Sequence, residues 1–357
     1  MRTVQRTAAL LLTLAGLTPV ASIAPAASAS AVLSADAASN SIRVTATIPV
    51  GDGPFGAAVN PQTGKIYVAN RFSNTVSVID GHANQVTATI PAGTGPYGIA
   101  VSRWKNIIYA ANSFDGTVSV INGRASQVTT TIPVGRFPLY GVAVNPRTKT
   151  VYVASAGTGM VPVISQRTNK VIATIPLAAP FWVAVNPRTD TVYVTGGFGN
   201  PGQPFALSVI NGRTNKVVAT VRLPKQPAEV AVNPRTNTAY AVYASNKVAV
   251  ISGQTNKIVA TVAVGAQFSE SFGVATDPRA NLIYVTNPSS NTVSVISGQT
   301  NKIVATVPVG RSPFTGIAVN PHTSTIYVAN LFDNTVSVLL ACNKPPAAPR
   351  SAACQRG

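Results

Sequence analysis

The chain has 357 residues, 46% of them hydrophobic and only 10% charged, with 27 Lys and Arg against nine Asp and Glu. Length alone suggests two domains, and the basic excess favours acidic partners such as nucleic acid, wall polymers or anionic lipid. No segment beyond the N-terminal region approaches the roughly 18 apolar residues of a membrane-spanning helix, which excludes a helical membrane protein.

Residues 1–29 read as a secretory signal peptide. Arg2 and Arg6 form a basic start, Ala8 to Leu17 a short apolar core, and Ala27-Ser28-Ala29 a small-residue cleavage site. The arginines are not adjacent, and no Cys follows the cleavage site, so general export without a lipid anchor is expected. Residues 30–40 follow as a flexible lead-in. The mature chain is expected outside the cytoplasm, secreted or held at the wall, as a monomer.

From there the chain repeats itself seven times. Val59-Asn60-Pro61 returns at Val144-Asn145-Pro146, Val185-Asn186-Pro187, Val232-Asn233-Pro234, Thr276-Asp277-Pro278 and Val319-Asn320-Pro321, with a degenerate copy at Val101-Ser102-Arg103. A period of about 40–45 residues with several short strands per unit indicates a propeller or a solenoid. In residues 183–223 the unit shows four strands, a to d. They are Val183 to Val185, Thr191 to Thr195, Ala206 to Ile210 and Lys216 to Leu223, joined by turn residues such as Asn186-Pro187 and Asn211-Gly212. Both faces of these strands are apolar, as a blade packed between two other blades requires. Pro recurs near the end of strand d, at Pro49, Pro91, Pro133, Pro176, Pro224 and Pro308, which places d at the outer edge. The repeat opens with a lone d strand, Arg43 to Val50, and closes with a lone a-b-c set, Ile317 to Val319, Thr325 to Asn330 and Thr335 to Leu340. Together they predict an all-β, seven-bladed propeller over residues 41–341, its last blade completed by the N-terminal strand. Residues 342–357 form a tail in which Cys342 and Cys354 are expected to pair as a disulfide in an exported protein.

The phrases Ile66-Tyr67-Val68-Ala69-Asn70, Tyr193-Val194-Thr195, Tyr284-Val285-Thr286-Asn287 and Tyr327-Val328-Ala329-Asn330 resemble the YVTN-repeat β-propeller family. Asn334-Thr335-Val336-Ser337-Val338 and Asn301-Lys302-Ile303-Val304-Ala305-Thr306 carry the same likeness. The resemblance implies a secreted or surface-associated propeller and supplies no shared catalytic motif.

The two loop faces differ in chemistry. The a–b and c–d loops carry fifteen Lys and Arg, among them Arg147, Arg188, Arg235, Arg279, Arg124, Arg167 and Arg213, against three Asp. These seven arginines are candidates for holding an anionic wall polymer or nucleic acid. Solvated turn tips copied with the repeat would look the same. The d–a loops place an aromatic residue just before strand a: Phe55, Tyr97, Tyr140, Phe181 and Phe272. The b–c loops add Phe72, Phe114, Phe198 and Phe332. The first set is expected to ring the channel mouth, either as a ligand site or as a plug. Two deviations stand out there. Glu229 and Trp182 take the position that is Gly in the other five blades. Glu229 and Glu270, the only glutamates, come from adjacent blades and are candidates for an acid–base pair or a cation site. No zinc-type spacing, nucleophile elbow or Cys–His pair is present, so neither a metal nor a cofactor is expected.

These readings point first to a non-catalytic binding scaffold whose partner is a protein or anionic wall polymer. Polyanion or nucleic-acid binding through the basic face is the second. A propeller enzyme of the lyase, lactonase or dehydrogenase kind, acting at the channel mouth, is the third.

Overall fold

A computed structural model describes residues 42–135, 139–197, 204–265 and 272–341. The expected tail disulfide between Cys342 and Cys354, and Glu270, lie outside them.

The described residues form seven four-stranded antiparallel sheets. Strand β1 (Ile42–Pro49) stands apart in sequence. Blade 1 is β2 (Pro54–Asn60), β3 (Lys65–Asn70), β4 (Thr75–Asp80) and β5 (Gln85–Pro91). Blade 2 is β6 (Pro96–Ser102), β7 (Ile107–Asn112), β8 (Thr117–Asn122) and β9 (Gln127–Pro133). Blade 3 is β10 (Leu139–Asn145), β11 (Thr150–Ser155), β12 (Met160–Ser165) and β13 (Val171–Pro176). Blade 4 is β14 (Trp182–Asn186), β15 (Thr191–Gly196), β16 (Ala206–Asn211) and β17 (Lys216–Arg222). Blade 5 is β18 (Pro227–Asn233), β19 (Thr238–Tyr243), β20 (Lys247–Ser252) and β21 (Lys257–Ala263). Blade 6 is β22 (Val274–Asp277), β23 (Leu282–Asn287), β24 (Thr292–Ser297) and β25 (Lys302–Pro308). Blade 7 is β26 (Pro313–Asn320), β27 (Thr325–Asn330) and β28 (Thr335–Ala341), and β1 pairs antiparallel with β28 as its fourth strand. The protein is therefore a seven-bladed β-propeller closed by its N-terminal strand. Among the described residues no helix is long and apolar enough to cross a membrane.

The first strand of each blade contacts the first strands of its neighbours, so these strands line the axis. Apolar side chains of the middle strands fill the wedges between blades, as in the cluster of Tyr193, Val209, Val230, Ala241 and Ile251 across blades 4 and 5. The recurrent phrases have physical causes. The Asn that ends the second strand clamps the start of the third: Asn70 Nδ2 donates to Thr75 Oγ1 at 3.0 Å and Ser77 Oγ at 2.8 Å. Asn330 does the same to Thr335 and Ser337. The Tyr of that strand reaches into the next blade, where Tyr152 Oη donates to Asn215 Oδ1 at 2.8 Å. The Asn-Pro turns are Asx turns, with Asn186 Oδ1 accepting from Arg188 N at 3.0 Å. The same residue ties to the next blade, its Nδ2 donating to Asn237 Oδ1 at 2.7 Å.

Candidate functional site

At the channel mouth the inner strands come very close. A Cβ added to Gly56 would lie 2.1 Å from the Tyr97 carbonyl oxygen, and one at Gly98 would lie 2.2 Å from that of Tyr140. Glycine at this position lets each inner strand touch the next through backbone alone. The preceding residue then projects over the mouth. Its rings in blades 1, 2, 3, 4 and 6, with Phe314 of blade 7, form a belt that is interrupted at blade 5, where Ala228 stands. Phe272 stacks on Phe314 at 4.0 Å, Phe314 meets Phe55 at 5.1 Å, and Phe55 meets Tyr97 at 4.1 Å. Tyr97 meets Tyr140 at 5.2 Å, and Tyr140 meets Phe181 at 4.5 Å. Trp182, beside Phe181 in blade 4, reaches Tyr97 of blade 2 at 6.2 Å. Phe55, Tyr97 and Phe181 are buried; Tyr140, Trp182 and Phe272 are half-buried. The belt therefore packs ring on ring.

Arg71, which the sequence reading left aside, sits in this belt. Its guanidinium carbon lies 5.2 Å from the Phe55 ring centroid, 5.4 Å from Tyr97, 6.0 Å from Phe72 and 5.0 Å from Phe114. It makes no ion pair with any described residue, and its buried Nε has no hydrogen-bond partner. Four ring faces thus offset a cation that carries no counter-charge among the described residues. The rim rings are exposed, Phe72 by 60%, Phe114 by 49% and Phe332 by 63%. Two of them rest on glycine. A Cβ at Gly53 would meet the Phe72 ring at 2.4 Å, and one at Gly95 would meet the Phe114 ring at 2.5 Å. Both glycines have positive φ, 63° and 64°, which L side chains rarely adopt. The exposed rings are held in place by their seats. A sequence signal for Arg71 existed. The residue after the second strand is Ser113, Ala156, Gly197, Ala244, Pro288 and Leu331 in the other blades, so Arg71 is the one charge at that position.

Glu229 lies in the channel wall between β18 and β22. Its Oε2 accepts from Val274 N at 3.1 Å, while the buried Oε1 has no partner. Burial pushes its carboxyl well above the usual carboxylate range, against a smaller opposing effect of the Val274 hydrogen bond. The buried Tyr97 hydroxyl is also pushed up, first by burial and then by the Glu229 charge, with Arg71 opposing. Tyr97 thus stands within electrostatic reach of both. The folded protein holds the Glu229 proton more tightly than the unfolded chain does. Its contribution to stability is therefore present below the ordinary carboxylate range and is lost as pH rises from there towards the raised folded value. Glu229→Gln keeps the acceptor for Val274 and removes the titration. The variant is expected to melt higher than the wild type at neutral pH and to show a flatter decline above the carboxylate range; parallel melting curves from pH 4 to 8 would refute this placement.

On the opposite face all seven candidate arginines are exposed. Three are engaged within the protein. Arg147 and Arg213 both approach the buried Asp190, at 3.4 and 3.0 Å, and Arg147 also donates to the Arg188 carbonyl at 2.8 Å. Arg279 donates to the His322 carbonyl at 3.1 Å, tying blade 6 to blade 7. Arg124, Arg167, Arg188 and Arg235 make no ion pair with any described residue. Among the described residues no group of three or more His, Cys, Asp or Glu is placed to hold a metal.

No protein-family model matches the chain, and no curated protein matches it. Among solved structures it is similar to Kuenenia stuttgartiensis hydrazine synthase, at 20% identity and a TM-score of 0.74, over 80% of this chain and 95% of that one. At that identity the likeness shows the propeller fold alone.

Proposed function

We propose that this chain is an exported, non-catalytic interaction propeller of the YVTN-repeat type, and that its channel mouth is the recognition surface. The observation carrying this reading is Arg71, which has no counter-charge among the described residues and is held between four rings, two of which, Phe72 and Phe114, sit on glycine seats. Rigid exposed aromatics around an Arg are the residue types that dominate binding energy at interfaces. The arrangement suits an acidic group presented on an apolar surface, as in a protein segment that carries a carboxylate beside aliphatic or aromatic side chains. Burial of Phe55 and Tyr97 supports docking onto the mouth rather than threading of the channel.

The test is capture of secreted proteins and wall polymer by immobilised mature protein at two salt concentrations, beside a variant carrying Arg71→Gln, Phe72→Ala and Phe114→Ala. A partner bound by the wild type and reduced tenfold or more in the variant supports the reading. Equal capture by both, or none by either, overturns it. A second reading, polyanion binding through the opposite face, is favoured by the four arginines that make no ion pair with any described residue; capture of wall polymer that survives in the variant and falls steeply with salt would select it.

A further inference from the structure

The outer strand of every blade carries a bulge at the same place. In blade 1, Val78 pairs with Ala88 and Ile79 with Val86, so Thr87 is the extra residue. The same registers make Thr129 the extra residue in blade 2 and Thr45 in blade 7. Each of these threonines turns its hydroxyl back to the neighbouring strand, donating to the carbonyls of Val78, Val120 and Val338 at 3.2, 3.1 and 3.2 Å. A bulge unpairs backbone groups, and Thr meets one of them.

Blades 3 to 6, contiguous around the ring, do otherwise. Their bulged residues are Ile172, Val218, Val259 and Val304. None has a hydroxyl, and the first three are 56%, 59% and 60% exposed. In blades 3 to 6 a lysine goes with the aliphatic residue. Two residues earlier stand the exposed Lys170, Lys216, Lys257 and Lys302, where blades 1 and 2 have Gln85 and Gln127 and blade 7 has the half-buried Arg43. The intervening residues, Val171, Val217, Ile258 and Ile303, are also exposed. A blade needs neither change, since blades 1 and 2 fold with Gln and Thr.

The place matters as much as the composition. The outer strand begins where the c–d loop ends, so each Lys–aliphatic set sits where the basic loop face meets the side wall of the disc. Arg167 and Arg213 lie in the c–d loops directly beside it, exposed. A soluble polyanion would use the cations and leave the aliphatics in water. A strand-adding protein would meet a bulged edge, which resists pairing. A surface that offers anionic headgroups above hydrocarbon uses both.

We propose that the perimeter of the basic face along blades 3 to 6 docks on an anionic lipid surface, with Lys170, Lys216, Lys257 and Lys302 at the headgroups and the exposed Ile172, Val218 and Val259 in the interface. The surface is separate from the channel mouth, so its failure leaves the reading of Arg71 standing. The test is co-sedimentation of the mature protein with vesicles of phosphatidylcholine alone or with a third of phosphatidylglycerol. The wild type binds the anionic vesicles at low salt, and binding falls as salt rises. The variant I172T, V218T, V259T, V304T places the Thr of the other blades at each bulge, keeps its melting temperature, and binds about tenfold more weakly or less. K170Q, K216Q, K257Q, K302Q also binds more weakly and loses most of the salt dependence. No wild-type binding to anionic vesicles, or undiminished binding by the folded Thr variant, overturns the proposal. Binding to soluble polyphosphate but not to vesicles overturns it too, in favour of a polyanion.

Discussion

Deleting residues 41–50 is expected to cost most of the stability of the propeller and to make the protein self-associate through the exposed edge. The strand β1 is the fourth strand of blade 7 and pairs with β28 from Ile42 against Ala341 to Pro49 against Thr335. Its Ile48 is 2% exposed and packs with Ile66, Tyr327 and Val336, so it belongs to the wedge between blades 7 and 1. Ile42 packs into the wedge on the other side, with Ile317, Val328 and Leu339. Burial of such side chains stabilises by about 1.5–3 kcal/mol each, and each ladder hydrogen bond adds about 0.5–1.5 kcal/mol. Against a typical total of about 5–15 kcal/mol, the deletion removes a large share. It also bares β28, a flat apolar strand that lacks the bulge and terminal Pro protecting the native edge. Melting and sedimentation of the truncated protein check both effects, and a peptide of residues 41–50 added in trans should restore part of the melting temperature. A truncated protein that sediments and melts like the wild type would show that the ring is closed by other means.

Much of this was legible in the sequence because single residues carry the contacts that define a blade. Asn70 and Asn330 recur before Thr and Ser because they hydrogen-bond them, and the Asn-Pro turns recur because their side chains close the turn and reach the next blade. The phase of the repeat revealed β1 for the same reason: a lone outer strand has nowhere else to pair. The aromatic belt was legible as a row of positions, but its packing was not, since a row of Phe and Tyr before an inner strand describes separate rings and packed ones equally well. Arg71 was missed as a site residue because a charge beside Phe72 in the sequence does not reveal that Phe55 and Tyr97, from other loops, pack against it. The glycine seats of Phe72 and Phe114 join a d–a loop to a b–c loop, a pairing that only the closed blade makes visible. The Asn-Lys-Ile-Val-Ala-Thr phrase read as repeat signature. It gains a second meaning only when the bulge register equates Val259 with Thr87.

The glycine ring separates what holds the fold from what shapes the site, and two substitutions divide them. Gly56→Ala puts a methyl 2.1 Å from the backbone oxygen of Tyr97, which has no rotamer to move to. The strands β2 and β6 must part, and with them the Phe55 and Tyr97 rings now 4.1 Å apart. Overpacking against backbone at this depth is expected to cost about 3 kcal/mol, a fall of roughly 5 °C in melting temperature for a propeller of this size. Gly53→Ala meets a side chain instead, the Phe72 ring at 2.4 Å, in a backbone at φ 63°. The left-handed conformation costs about 1–2 kcal/mol, and the exposed ring swings off its seat. Gly53→Ala should therefore melt only a few degrees lower and yet lose partner capture as fully as Phe72→Ala does. Blades 4 and 5 show why the ring tolerates some side chains: Trp182 and Glu229 occupy the glycine position there, with Trp182 turned inward against Tyr97 and Glu229 bonded to Val274. If Gly56→Ala melts within a degree or two of the wild type, the inner strands have slack all around the channel. The seating of Arg71 between Phe55 and Tyr97 would then be a property of the rings and not of the backbone beneath them.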